Sequence, residues 1–173
     1  KQFLDAPIYD KYKPTTLLEL YEFMAEKEDV YVVLDPKYSN DVEGQFSLIV
    51  DTAIENGYEA VLDRVVVQIY YEEMYEKVEQ IYSFKNYLYT LYYLGYSNTG
   101  KEERFCVENK IPVLVMPYTW INSEICNSVE QSQLKLFVHT VNDIEEAKRQ
   151  LSMGVDGIYT DEILPRNVKG TSK

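Results

Sequence analysis

The sequence has little of what marks many specialised protein classes. No stretch of its 173 residues approaches about eighteen consecutive apolar positions, which excludes a membrane-spanning helix. Cysteine occurs twice, at Cys106 and Cys126, too seldom for a disulfide scaffold and without metal-ligand spacing. Both are expected to pack as small apolar side chains. Basic residues are outnumbered, 17 Lys and Arg against 29 Asp and Glu, and the net charge of −12 disfavours a protein whose task is gripping nucleic-acid phosphates. His139 is the single histidine, so a mechanism that needs two histidines cannot run inside this chain. No serine stands in a nucleophile-elbow setting, which removes the Ser-His-Asp reading. No glycine-rich phosphate loop follows the first strand-like run, which weakens a nucleotide-binding open sheet. The opening Lys1–Asp5 does not read as a charged, apolar, cleavable secretion signal, and cytoplasmic and extracellular settings both stay open.

What is present fills a core. Hydrophobic residues make up 46%, enough to exclude wholesale disorder, and the length fits a single domain over residues 1–173. Short apolar, β-branched runs recur at Val30–Leu34, Arg64–Tyr70, Tyr87–Tyr92, Pro112–Pro117, Leu134–Val141 and Val155–Thr160. They alternate little between apolar and polar, the pattern of strands covered on both faces. Amphipathic helices lie between them. Leu17, Leu20, Tyr21 and Met24 keep helical spacing behind a Thr16/Glu19 capping box. Phe46, Ile49, Val50, Ala53 and Ile54 mark a second helix ended by Gly57, and Met74, Val78 and Ile81 a third. Phe105 and Val107 hint at a weaker fourth stopped near Asn109, and Ile121, Ile125 and Val129 suggest a fifth. Ile144, Ala147 and Leu151 line a sixth, with Asn142 as N-cap and Gly154 after its end.

Serial βα units require parallel strands joined by right-handed crossovers. Two architectures satisfy this: a doubly wound open sheet, complete at this length, or part of a closed eight-stranded barrel, which needs about 250 residues. In either, ligands sit beyond the C-terminal strand ends. Those ends carry Asp35 and Lys37, Gln68 and Tyr70, Tyr92, Tyr118 and Trp120, His139 and Asn142, and Asp161. Asp35 could bind a hard divalent cation while Lys37 neutralises a phosphate oxygen; a solvated surface ion pair is the alternative. His139 could hydrogen-bond a ligand or move a proton near neutral pH, or pack as a satisfied imidazole under a loop. The 17 tyrosines invite an aromatic-cage reading, but most fall inside strands and helices, where packing explains them. Glu72-Glu73, Glu102-Glu103 and Glu145-Glu146 read as helix starts favoured by the dipole.

The segment Leu136-Phe-Val-His-Thr-Val-Asn-Asp143, followed by a helix and Gly154-Val-Asp-Gly-Ile-Tyr-Thr-Asp161, resembles the end of the glycerophosphodiester phosphodiesterase family. There the seventh strand runs into a TVN turn and the eighth reads GVDGIxTD. Asp35-Pro36-Lys37 is similar to the family's third-strand ExK, and Val65–Ile69 to its fourth strand. The resemblance implies an α/β fold of the TIM-like (β/α) barrel type, incomplete, with about six βα units and the first two missing. It implies a phosphoric diester hydrolase that releases an alcohol and glycerol 3-phosphate from a glycerophosphodiester, the lipid-metabolism chemistry of that family. It also implies a divalent metal, magnesium or calcium, in the full-length enzyme. By position Asp35 takes a metal-ligand role and Lys37 a phosphate contact. His139 lines the glycerol pocket, Gln68 contacts substrate, and Asn142 and Asp161 shape their turns.

The family's opening HRG strand, its second-strand ExD ligands and both catalytic histidines have no counterpart in these residues. The chain is therefore expected to be the C-terminal portion of a longer product and a very poor catalyst alone. Two other readings are a non-catalytic binding or assembly module that kept the barrel's shape, and an unrelated barrel enzyme for phosphorylated metabolites. Open strand edges would favour self-association, or association with a missing N-terminal segment.

Overall fold

The computed structural model describes residues 4–36 and 41–168. Six strands alternate with six α-helices among them. The strands are β1 Val32–Leu34, β2 Val65–Ile69, β3 Asn86–Thr90, β4 Val113–Pro117, β5 Lys135–His139 and β6 Gly157–Ile158. The helices are α1 Leu17–Glu26, α2 Val42–Glu55, α3 Glu72–Ile81, α4 Lys101–Glu108, α5 Ser123–Gln131 and α6 Ile144–Ser152. Strand order follows chain order from β1 to β6, and β3 to β6 pair in parallel. A doubly wound sheet reverses its order at a switch point; an unbroken sequential order is that of a (β/α) barrel. The fold is thus the incomplete TIM-like barrel of six βα units. Contacts fall into two compact units, residues 1–66 with 76–86 and residues 67–75 with 87–173.

In the first unit, α1 begins where the sequence places it. Thr16 Oγ1 accepts from the Glu19 backbone N–H and the Glu19 carboxylate accepts from the Thr16 N–H, a reciprocal capping box. Tyr21 and Met24 are buried, and the Tyr21 hydroxyl donates to the Ile49 carbonyl of α2 at 2.8 Å. Burial pushes that phenol up to about 12. On α2 the buried positions are Val42, Phe46, Val50 and Ala53; Ile54, expected in the stripe, is exposed. Gly57 follows the helix at φ +77°, a left-handed conformation that L side chains rarely adopt. A 3₁₀ turn over Glu59–Arg64, not expected from the periodicity, comes next and buries Val61 and Leu62. Its last residue ties the unit together. Arg64 donates to the carbonyls of Met24 at 2.6 Å, Lys27 at 2.7 Å and Val30 at 3.1 Å, oxygens at and beyond the end of α1.

In the second unit β3 and β4 are covered on both faces. Leu114, Val115 and Met116 of β4 have no exposed surface. Tyr87 and Tyr89 meet Tyr75 and Phe105, so they face the helix layer. Leu88 and Thr90 point the other way. Register then aligns Thr90 with Val115, Val115 with Phe137, and Phe137 with Gly157 on that opposite face. A Cβ on Gly157 would lie 2.6 Å from the Phe137 ring, so only glycine fits beneath it. Both cysteines are buried, as expected. Burial, with Glu103 and Glu102 nearby, pushes the Cys106 thiol up to about 12, leaving it inert.

Replacing Arg64 by leucine removes three charge-assisted bonds to carbonyls, and the stability loss is expected to be about 2 kcal/mol or more. Urea unfolding of the variant checks this. An unchanged midpoint would mean that water substitutes for the guanidinium.

Candidate functional site

Strands covered on both faces leave polar chemistry to their ends, and the residues chosen from the sequence stand there. In the first unit Asp35 follows β1 and is exposed. Lys37 lies outside the described residues. One carboxylate does not make a metal centre, and among the described residues no group of three or more His, Cys, Asp or Glu could hold a metal ion.

In the second unit Gln68 and His139 belong to one connected set. Gln68 is buried on β2; its amide donates to the Tyr70 hydroxyl at 2.8 Å, and the Tyr159 hydroxyl donates to its carbonyl oxygen at 3.3 Å. Tyr70 contacts Tyr93, with ring centroids 5.0 Å apart. Tyr93 in turn contacts Tyr92 at 5.0 Å, and Tyr92 contacts the His139 imidazole at 5.5 Å. The path from amide to imidazole is thus lined with phenol rings. His139 ends β5 opposite Pro117 of β4. Its Nε2 is buried without a hydrogen-bond partner among the described residues, and burial lowers its pKa. The imidazole is therefore neutral at physiological pH, with an unused nitrogen. That is the electronic state of a hydrogen-bonding group, not of a resident cation.

The turn motifs are explained by a clasp between the β5 and β6 loops. Asn142 Nδ2 donates to the Asp161 carboxylate at 2.9 Å, while Asn142 Oδ1 accepts from the Asp161 N–H at 2.9 Å and the Thr160 hydroxyl at 3.1 Å. Thr160 Oγ1 accepts in turn from the Glu162 and Ile163 N–H groups. Asp156, earlier in the same motif, accepts from the Leu136 N–H and the Lys135 ammonium, fixing the approach to β6 against β5. Asn142 is therefore not the N-cap of α6. That role falls to Asp143, whose carboxylate accepts from the Glu146 N–H at 2.8 Å, because Asn142 is already committed to Thr160 and Asp161.

Two further features escaped the sequence reading. Glu102 and Glu103 do open α4, but both are buried. Glu102 accepts from the Ser97 hydroxyl and N–H, and Glu103 from the hydroxyls of Tyr96 and Ser128. Gln150, fully buried on α6, donates to the Tyr118 carbonyl at 3.1 Å and the Glu146 carboxylate at 2.7 Å, bracing the 3₁₀ turn Tyr118–Trp120 at the end of β4. A cleft of about 470 Å³ bordered by Glu103, Arg104 and Gln133 lies in the helix layer and contains none of the strand-end residues.

Comparison with known proteins bears on the family and the fold. Residues 102–164 match the glycerophosphoryl diester phosphodiesterase family. No curated protein sequence matches the chain. Among solved structures, a provisionally assigned glycerophosphodiester phosphodiesterase from Galdieria sulphuraria is similar with a TM-score of 0.75 and 14% identity, over 92% of this chain and 65% of its own. A glycerophosphodiester phosphodiesterase from Parabacteroides distasonis gives 0.70 and 17% identity, over 97% of this chain and 68% of its own. An Oleispira antarctica phosphodiesterase, solved in complex with the product sn-glycerol-3-phosphate, gives 0.62 and 15% identity, over 90% of this chain and 60% of its own. The chain spans less than two thirds of the Galdieria and Oleispira proteins. The resemblance to the family is therefore real: the stretch holding both turn motifs carries the family's pattern, and the chain has the family's fold.

The lowered His139 pKa has a sign. A histidine that prefers to be neutral when folded contributes stability above its ordinary value of 6.5, and that stability is lost as pH falls through the lower folded value. The midpoint of thermal unfolding is expected to fall between about pH 7 and about pH 5, and His139→Phe should remove part of that slope. Identical slopes for the two proteins would show that the imidazole is not held neutral by burial.

Proposed function

We propose that this chain supplies the C-terminal wall of a glycerophosphodiester phosphodiesterase-like barrel, which hydrolyses a phosphoric diester to an alcohol and glycerol 3-phosphate. The observation that carries the reading is the Asn142–Asp161 clasp. Both of its partners fall within the family match over residues 102–164, and the clasp sets the loop geometry beside His139. The glycerol 3-phosphate found in the Oleispira protein supports the substrate class.

In this reading His139 lines the glycerol side of the substrate and Gln68 is a further substrate contact; the phosphate contact that the resemblance implies for Lys37 falls outside the described residues. His139 acts by hydrogen bonding. With one histidine in 173 residues, the proton-transfer pair that the family resemblance implies does not come from this chain. The same resemblance implies a divalent metal, magnesium or calcium. The described residues do not form a site that fits it, and Asp35 would provide at most one ligand. The 173-residue chain alone is accordingly a binding wall with little turnover.

The test is an assay of the chain with glycerophosphodiesters in magnesium and calcium, alongside titration with glycerol 3-phosphate. Release of glycerol 3-phosphate is expected to be at least about 10²-fold slower than in a complete enzyme of the family. Binding of glycerol 3-phosphate should persist and be weakened severalfold by Lys37→Ala. Full turnover by the chain would overturn the division of labour. Absence of both turnover and glycerol 3-phosphate binding would favour the non-catalytic assembly module.

A further inference from the structure

The chain has four methionines, and one of them is unlike the rest. Met24, Met74 and Met116 are at most 1% exposed, inside the core. Met153, the residue that caps the end of α6, is partly exposed. Its Sδ accepts from Arg149 Nη1 at 3.0 Å. Both cysteines are buried, so neither thiol competes for an oxidant that stays in solvent. Arg149 uses its other two nitrogens elsewhere. Its Nε and Nη2 form a fork to the Glu146 carboxylate at 2.8 and 2.7 Å, and the Oε1 that takes Nη2 also accepts from Gln150 at 2.7 Å. Gln150 in turn donates to the Tyr118 carbonyl of the turn Tyr118–Trp120. Hydrogen bonds thus run unbroken from a partly exposed sulfur to the end of β4.

We propose that Met153 is a site of reversible oxidation by a peroxide, and that its sulfoxide loosens the brace on the Tyr118–Trp120 turn. The sulfur attacks one peroxide oxygen, an S–O bond forms as the O–O bond breaks, and the proton on the transferred oxygen passes to the departing one. The thioether is oxidised by two electrons and hydrogen peroxide is reduced to water. Susceptibility follows exposure, which selects Met153 from the four. The product replaces a weak sulfur acceptor with a polar oxygen. A guanidinium-to-oxygen bond by itself spans about 2.7–2.9 Å, whereas the whole separation of Sδ and Nη1 is 3.0 Å. The added oxygen therefore has no room between them, and taking the bond displaces Arg149 from Glu146, the carboxylate that Gln150 shares. Neither the site nor its effect rests on the phosphodiesterase reading.

The experiment uses the whole chain and dilute hydrogen peroxide. The methionine-containing peptides are followed by mass spectrometry, alongside the emission of Trp120, the single tryptophan. In the folded chain Met153 is expected to gain one oxygen at least about tenfold faster than Met24, Met74 and Met116, and in urea at a similar rate to them. Trp120 emission should shift with the same time course and return when methionine sulfoxide reductase removes the oxygen, which separates the sulfoxide from direct oxidation of the indole. Met153→Leu should show no shift. Glu146→Gln, which weakens the fork and keeps the sulfur, should be oxidised at Met153 yet show at most about half the shift. Unfolding midpoints establish that the variants are folded, and the reductase step on the unmutated chain decides the matter if one is not. Equal oxidation of all four methionines in the folded chain overturns the proposal. So does a full shift in Met153→Leu, or oxidation at Met153 that leaves Trp120 unchanged.

Discussion

Coverage of β4 on both faces is the constraint on which the rest of the second unit depends. With Leu114, Val115 and Met116 fully enclosed, β4 offers no place for a polar group along its length, since each would be stranded without water. Polar chemistry is driven to the strand ends. Where a polar side chain does enter a strand, it arrives with partners: Gln68 is bonded to the hydroxyls of Tyr70 and Tyr159. The same coverage explains Gly157. The Phe137 ring occupies the space where a Cβ would stand, so the filling of the sheet's inner face and the glycine of the motif are one fact.

Much of the fold was legible because strands and helices announce themselves through spacing. All six strands fall on the expected runs, and the Thr16/Glu19 box forms as written. The errors share a cause. Asn142 and Asp143 are both good N-caps by residue type, and what separates them is Asp161, nineteen positions on in sequence and reachable only once β6 lies beside β5. Glu102 and Glu103 look like solvated helix-start carboxylates; their burial depends on hydroxyls from Ser97, Tyr96 and Ser128, a partnership no local window contains. Val107 was expected on the apolar face of α4 and is exposed, because Cys106 and the two glutamates take the inward positions instead.

The strand-end residues divide similarly. That Gln68 and His139 stand at strand ends followed from periodicity. That they are joined through Tyr70, Tyr93 and Tyr92 did not, because those tyrosines look in sequence like any others. Composition alone supported packing, and for Tyr87 and Tyr89 packing is what the structure shows. Exposure, a property of tertiary position, separates Tyr92 and Tyr93 from Tyr87 and Tyr89.

The single histidine then bears on how the chemistry is shared. A general acid or base works best with a pKa near the operating pH. Burial favours the neutral form of His139, and its Nε2 has no hydrogen-bond partner among the described residues. The burial that favours the neutral imidazole is the same burial that leaves its Nε2 without a partner among the described residues.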